Sequence, residues 1–280
     1  GIRDKLVTGV QTCASDLSVV QGVTLTTASS IDVNSSGQLA GVFGTGLYFF
    51  ANRTLTKVVR IGEPLEGGVV TTIRPPVLDD LGRIAFFVVT DKGEFLELWQ
   101  QGTFTRILAD GDTLMDGRTI RTHDSTLQGT GDGFVVRLTL TDNQTTLLRY
   151  RNSLEYLATR VDRTPTGAVV SFVQTFSVNR SADVGMFYNG TTGTVNLMTR
   201  RGASFYQVQD WGEITSDQDL LIGATSLFMD PDGSVYVLTI DDSGQQVIYK
   251  GSPINGTVEL PFTANSFGGL STTTSGGGAS

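Results

Sequence analysis

Short apolar runs separated by polar turns recur along the whole chain. Ile84-Ala-Phe-Phe-Val-Val89 and Val235-Tyr-Val-Leu-Thr-Ile240 are apolar on both faces, whereas a strand with one wet face alternates. Turn residues follow each run: Asp91-Lys92-Gly93 after the first, Asp241-Asp242-Ser243-Gly244 after the second. Such β-rich runs, broken by Asx/Gly turns every ~8–12 residues, predict consecutive antiparallel hairpins. Helical periodicity is absent over any stretch of about 10 residues or more.

The pattern repeats. Leu47 to Leu65 aligns without gaps on Leu96 to Leu114, an offset of 49 residues, and Leu147 to Asp162 follows as a third copy with one deletion. A second landmark extends the series to five: Gly37, Gly82, Gly131, Ala182 and Gly233, spaced by 45, 49, 51 and 51 residues. Three positions before each stands Asn34, Asp79, Gln128, Asn179 or Asp230. Two positions after, Leu39, Ile84, Val184 and Val235 open a strand, with Gly133 as the exception. An Asx side chain capping the backbone, followed by a small residue in a conformation that β-branched residues avoid, makes a tight turn. Strand, turn, strand, turn, strand is therefore expected after each landmark.

Strands buried on both faces fit a small sheet held between two neighbouring sheets, as in a propeller blade, and a period near 50 matches the kelch-like end of known blade lengths. The expected fold class is all-β: a β-propeller of about five blades of roughly 50 residues, read as an incomplete ring. A β-solenoid has shorter coils and a sandwich needs no repeat.

Composition narrows the function. With 28 acidic against 20 basic side chains and a net charge of −8, the chain lacks the basic face that tracking a phosphate backbone requires. Its six-residue apolar run falls far short of the ~20 that a membrane helix needs. One His and one Cys make a His/Cys zinc site or a Cys-His or Ser-His centre nearly impossible to assemble.

The single Cys, Cys13, lies in Gly1-Ile-Arg-Asp-Lys-Leu-Val-Thr-Gly-Val-Gln-Thr-Cys-Ala-Ser-Asp-Leu17. Residues 1–17 resemble a translated short-read sequencing adapter, and such segments stay out of fold reasoning. The resemblance implies a chain with no native cysteine, whose natural start, signal peptide and one to three preceding blades lie upstream. The expected organisation is adapter-derived residues 1–17, a repeat array at 18–260, and a flexible Gly/Ser/Thr-rich tail at 261–280.

Asp79-Asp-Leu-Gly-Arg-Ile-Ala-Phe86 and Asn34-Ser-Ser-Gly-Gln-Leu-Ala40 resemble the Asn-x-x-Gly-x-x-Ala-Phe tandem repeat of secreted bacterial proteins with varied surface anchors. Gly62-Glu63-Pro64 and Gly111-Asp112 look like the Gly-Asp-x-x-Pro turn of the same group. The likeness spans roughly Val20 to Leu260 and implies export and a propeller-like fold, with no activity attached.

Candidate chemistry is sparse. Asp230-Pro-Asp232-Gly233 begins like a calcium loop, with hard oxygen ligands at alternate positions; no bidentate Glu stands at the EF-hand position, and a structural Asx turn explains the motif without metal. Asp230 and Asp232 are the metal candidates, and calcium the one cofactor considered. The acidic pairs Asp79-Asp80, Asp110 with Asp112, and Asp241-Asp242 are weighed against glycoside hydrolysis, which needs two carboxylates across a cleft; turn capping accounts for them. Trp99 aligns with Phe50 and Tyr150 and reads as inter-blade packing. Trp211 lies outside that register and is the ligand-binding candidate. His123 has no partner and reads as a loop residue between repeats. Six Asn-x-Ser/Thr sequons occur, as turn-rich composition readily produces.

These readings lead to an exported or cell-surface module, non-catalytic, binding a glycan or surface protein or acting as a scaffold. Its other expected partners are the missing blades of its own chain; nucleic acid is not among them, and no membrane span lies in this stretch. The alternatives are a propeller enzyme that acts on polysaccharide through carboxylates at the channel mouth, and a calcium-stabilised surface domain.

Overall fold

The computed structural model describes residues 19–20, 23–24, 28–158, 170–190, 195–201, 204–210, 223–240, 246–251 and 258–263. A short pair, β1 (Val19–Val20) and β2 (Val23–Thr24), precedes the first sheet: β3 (Ala28–Val33), β4 (Leu39–Phe43), β5 (Gly46–Ala51) and β6 (Thr54–Arg60). The second sheet holds β7 (Pro64–Leu65), β8 (Gly68–Ile73), β9 (Val77–Leu78), β10 (Ile84–Thr90), β11 (Gly93–Gln100) and β12 (Thr103–Ala109). The third comprises β13 (Ile120–Thr130), β14 (Gly133–Leu140), β15 (Thr145–Tyr150) and β16 (Leu154–Ala158). The fourth is β17 (Val170–Val178), β18 (Val184–Gly190), β19 (Val195–Arg201) and β20 (Ser204–Asp210), and the fifth is β21 (Gly223–Met229), β22 (Val235–Ile240), β23 (Gln246–Gly251) and β24 (Val258–Thr263).

Strand order within each sheet follows chain order; in the second sheet β10 pairs antiparallel with β11 on one edge and with β8 and the short β9 on the other. Among the described residues four of these five consecutive sheets have four strands and the second has six, and consecutive meanders of this kind are the blades of a β-propeller. Each blade has one strand more than the sequence pattern suggests. The landmark turn therefore lies inside the first hairpin, between the first and second strands. In the first blade the added strand carries little apolar signal: no position of β3, from Ala28 to Val33, is fully buried.

The chain divides into two compact units, Gly1–Asn143 with Arg149–Glu155, and Gln144–Leu148 with Tyr156–Ser280. In the first, Ala40, Val42, Leu47, Val58 and Val59 of the first blade pack against Ile84, Phe86, Val88, Phe95 and Trp99 of the second. Burying an aliphatic or aromatic side chain of this size contributes about 1.5–3 kcal/mol each. The opposite face of the first blade gathers Leu39, Phe43, Tyr48 and Leu55, so both of its faces are apolar, as the unalternating strands require. In the second unit, Phe187 and Leu197 of the fourth blade meet Leu227, Val235 and Val237 of the fifth. Gly185 is needed there, since a Cβ on it would lie 2.5 Å from the Val235 side chain.

The 49-residue match becomes a structural one: β5 and β6 superpose in numbering on Phe95–Gln100 and β12. Both copies carry the same β-bulge, where the register jumps between Leu47 and Tyr48 and between Leu96 and Glu97.

Candidate functional site

The landmark turns gather the site candidates that fall within the described residues. In four blades the turn is the same object. Asn34, Asp79, Asn179 and Asp230 each donate a backbone N–H to the carbonyl four residues on, at 2.9–3.2 Å, and accept one from the small residue three residues on. That small residue is left-handed, with φ +73° at Gly37, +75° at Gly82, +62° at Ala182 and +84° at Gly233. Glycine tolerates this without a Cβ penalty, and Ala182 is held in it by the surrounding turn.

The side chains that cap these turns also reach the next blade. Asn34 Oδ1 accepts from the N–H groups of Ser36 and Gln38, while its Nδ2 donates to the Asp79 carbonyl at 2.9 Å. Asp80 Oδ1 accepts the Ser35 N–H at 2.9 Å. Asp79 Oδ1 accepts from Leu81 and Arg83 N–H, and its Oδ2 takes Arg83 Nε at 2.6 Å. Arg83 then spends its remaining donors on the third blade, on the Asp132 and Arg151 carbonyls, both at 2.6 Å. Asp79 and Arg83 are 3% and 6% exposed, so this ion pair is buried and its spare hydrogens are satisfied, the condition under which a buried pair is tolerated.

The second unit repeats the device with other residues. Asn179 Oδ1 accepts the Asp183 N–H, and its Nδ2 lies 3.4 Å from the Asp230 carbonyl. Arg201 Nη2 donates to the Asp232 carbonyl. A capping side chain, or a guanidinium seated beside it, thus ties one blade's first hairpin to the next blade's.

The third blade departs from the expectation. Gln128 is inside β13, paired with Val135, and the hairpin is a two-residue turn at Gly131-Asp132 flanked by Thr130 and Gly133. Gln carries one methylene more than Asn, which takes its amide away from the backbone two residues on, so it does not cap as Asx does. His123 is likewise not in a loop between repeats: it belongs to β13, in the irregular stretch where the register jumps from Arg121 to Thr126.

Asp230 and Asp232 both face their own turn. Asp230 Oδ1 accepts the Asp232 N–H at 2.8 Å and Asp232 Oδ1 the Ser234 N–H at 2.7 Å. Among the described residues no group of three or more His, Cys, Asp or Glu converges on one point. Trp211 and the pair Asp241-Asp242 lie outside the described residues. Trp99 is 4% exposed and packs on Phe49 with ring centroids 5.3 Å apart, the inter-blade role its alignment suggested.

At the far end of the first and second blades the Gly62-Glu63 and Gly111-Asp112 motifs form a second recurrent loop. Glu63 accepts the Arg60 N–H and Asp112 the Ala109 N–H, at 3.0 and 2.7 Å, again 49 residues apart. Lys57 hydrogen-bonds Glu63 and holds its carboxyl below the ordinary glutamate range. Nearby, Asp110 accepts the Thr122 N–H at 2.8 Å, and Thr122 Oγ1 donates to Glu94 at 2.9 Å.

Arg83 and Glu97 were not singled out from the sequence. For Glu97 the signal was present: in the ungapped match it stands where the first copy has Tyr48 and the third Leu148.

No family model matches the chain, and no curated protein matches it. Solved structures do. One, from a structural and mechanistic study of two prolyl endopeptidases, is 14% identical with a TM-score of 0.52, over 86% of this chain and 37% of that one. The chain thus spans little more than a third of that protein's length. The β-propeller domain of the Trilobed protease from Pyrococcus furiosus is 10% identical over 85% of this chain and 82% of that one, TM-score 0.40. A gluconolactonase from Xanthomonas campestris, XC5397, is 9% identical over 89% of this chain and 82% of that one, TM-score 0.39. At such identities the likeness concerns fold alone, and the chain is similar to these proteins as one β-propeller is to another.

Proposed function

We propose that the chain is a non-catalytic binding or scaffold propeller of an exported bacterial protein, which presents blade-edge loops to a glycan or a surface protein. One observation supports this over a polysaccharide-cleaving enzyme. The described acidic pairs, Asp79-Asp80 and Asp110 with Asp112, each have both members accepting backbone N–H groups of their own framework. A carboxylate committed to a turn amide is poorly placed to protonate a glycosidic oxygen or activate water. The turn-and-strand signature shared with secreted tandem-repeat proteins supports export.

The test pairs binding with turnover on one sample. The chain is expected to be retarded in gels that contain a bound polysaccharide, or captured by an immobilised cell-envelope protein, while releasing no reducing ends from the same polysaccharides. Sustained release of reducing ends overturns the reading in favour of the enzyme. A melting temperature raised by excess calcium and lowered by chelator would favour the calcium-stabilised domain.

A further inference from the structure

Glu97 is 0% exposed, and neither of its carboxyl oxygens has a hydrogen-bond partner. It lies on β11 directly across from Phe86 on β10 and Arg106 on β12. Its neighbours two residues away on the same face, Phe95 and Trp99, belong to the apolar cluster between the first and second blades. The equivalent place beside the bulge holds Tyr48 in the first blade, Leu148 in the third and Met198 in the fourth, at 6%, 1% and 0% exposure. The repeat therefore builds this position for an uncharged side chain, and one blade carries a carboxyl there. A departure from a rule that its sister copies keep is where function is to be sought.

We propose that Glu97 makes the joint between the first and second blades proton-sensitive, seated when its carboxyl is neutral and loosened when it ionises.

The surroundings decide which form the fold prefers. β4, β8 and β10 bring no ionisable side chain, and the one on β5, Tyr48, packs on the opposite face of its blade. β6 carries Lys57, engaged with Glu63, and Arg60, whose backbone N–H donates to Glu63 and whose guanidinium lies 3.4 Å from the Thr45 hydroxyl. Among the described residues Arg106 is the one cation opposite Glu97, but it is half exposed and lies 3.5 Å from Glu66 in the β7–β8 turn. Glu66 itself repels a second negative charge. Burial first, and Glu66 second, push the Glu97 carboxyl up to about 7, against a weaker pull from Arg106. An unpaired buried carboxylate is costly, and the group neutralises instead.

The sign follows from linkage. Between the ordinary glutamate value of 4.5 and the folded value of about 7, the folded chain holds a proton that the unfolded chain has released. Stability is therefore full below that window, falls as pH rises through it, and stays reduced above. The gap corresponds to a fall in the folded-to-unfolded ratio on the order of a hundredfold.

The test is denaturant unfolding of the full chain between pH 4 and pH 9, beside Glu97→Gln and Glu97→Leu. Wild type should lose on the order of a hundredfold in that ratio relative to either variant as pH rises from 5 to 8. Parallel profiles for wild type and variants would overturn the proposal. Infrared spectroscopy reads the proton independently of folding yield. Wild type at pH 6 should show a protonated-carboxyl carbonyl band that fades by pH 8 and is missing from Glu97→Gln. Absence of that band from folded wild type at pH 6 also overturns the proposal, even where a variant fails to fold.

Discussion

The first and second blades share the register of their last two strands, including the bulge, and differ in how they join their neighbours. The first ties its first hairpin onward with the neutral amide of Asn34, Nδ2 to the Asp79 carbonyl at 2.9 Å. The second uses charge, with Asp79 holding Arg83 and Arg83 reaching the third blade. At the bulge, the first has Tyr48 across from Lys57 and the second Glu97 across from Arg106. Backbone geometry is thus set by the repeat, whereas the strength and pH dependence of each joint are set by a few substituted side chains. Removing a neutral amide leaves no charge behind. A buried ion pair costs far more to break than it contributes as a pair, because the survivor is left charged.

The largest effect expected from that contrast is at Asp79. Asp79→Ala should cost about 3–5 kcal/mol in unfolding free energy at pH 7, since it strands the guanidinium of Arg83 at 6% exposure and opens the turn. Denaturant midpoints at constant m-value measure it. A cost below about 1 kcal/mol would mean that the Asp132 and Arg151 carbonyls alone satisfy Arg83, and the charged joint would be no different in kind from the neutral one.

Asn34→Ala is the matched experiment in the first blade. It removes the one oxygen that accepts two turn N–H groups and the inter-blade amide donor without leaving a charge, so about 1–3 kcal/mol is expected. If Asn34→Ala proves as costly as Asp79→Ala, the capping function outweighs the charge, and the contrast between the two joints collapses. A smaller cost sharpens it.

Much of this was legible in the sequence, and what was not has physical reasons. The all-β propeller followed from doubly apolar strands and the period of the landmark turns, because burial on both faces and a tight Asx turn each leave a residue signature. The first strand of the first blade left none: β3 reads Ala-Ser-Ser-Ile-Asp-Val with exposed Ile31 and Val33, and only pairing with β4 makes it a strand. The turn at Gln128 looked like its sisters by spacing, but spacing does not register the extra methylene that lets β13 run on to Thr130. Arg83 was invisible as a joint because its partners, Asp132 and Arg151, are 49 and 68 residues away and accept through backbone carbonyls, which carry no residue identity. Asp230 and Asp232 were visible as a motif, and the structure has both accepting N–H groups of their own turn.

The smallest effect lies at Lys57, the first-blade counterpart of Arg106. Lys57 and Glu63 are 50% and 34% exposed, so solvent and salt screen them, and Lys57→Gln should cost less than about 1 kcal/mol. Its pH signature is the informative part. Lys57 holds the Glu63 carboxyl below 4.5, so its contribution is present above that value and is lost as pH falls through the lowered one. Glu97 does the reverse, losing stability as pH rises from 4.5 to about 7. The two blades therefore place opposite pH limbs on one stability profile. Lys57→Gln should flatten only the acid limb and leave the neutral limb untouched, as read by unfolding midpoints at pH 3, 4, 5, 7 and 8. A neutral limb that moves with Lys57→Gln would mean that Lys57 also acts on Glu97 across the joint, so that the two blades titrate as one coupled unit.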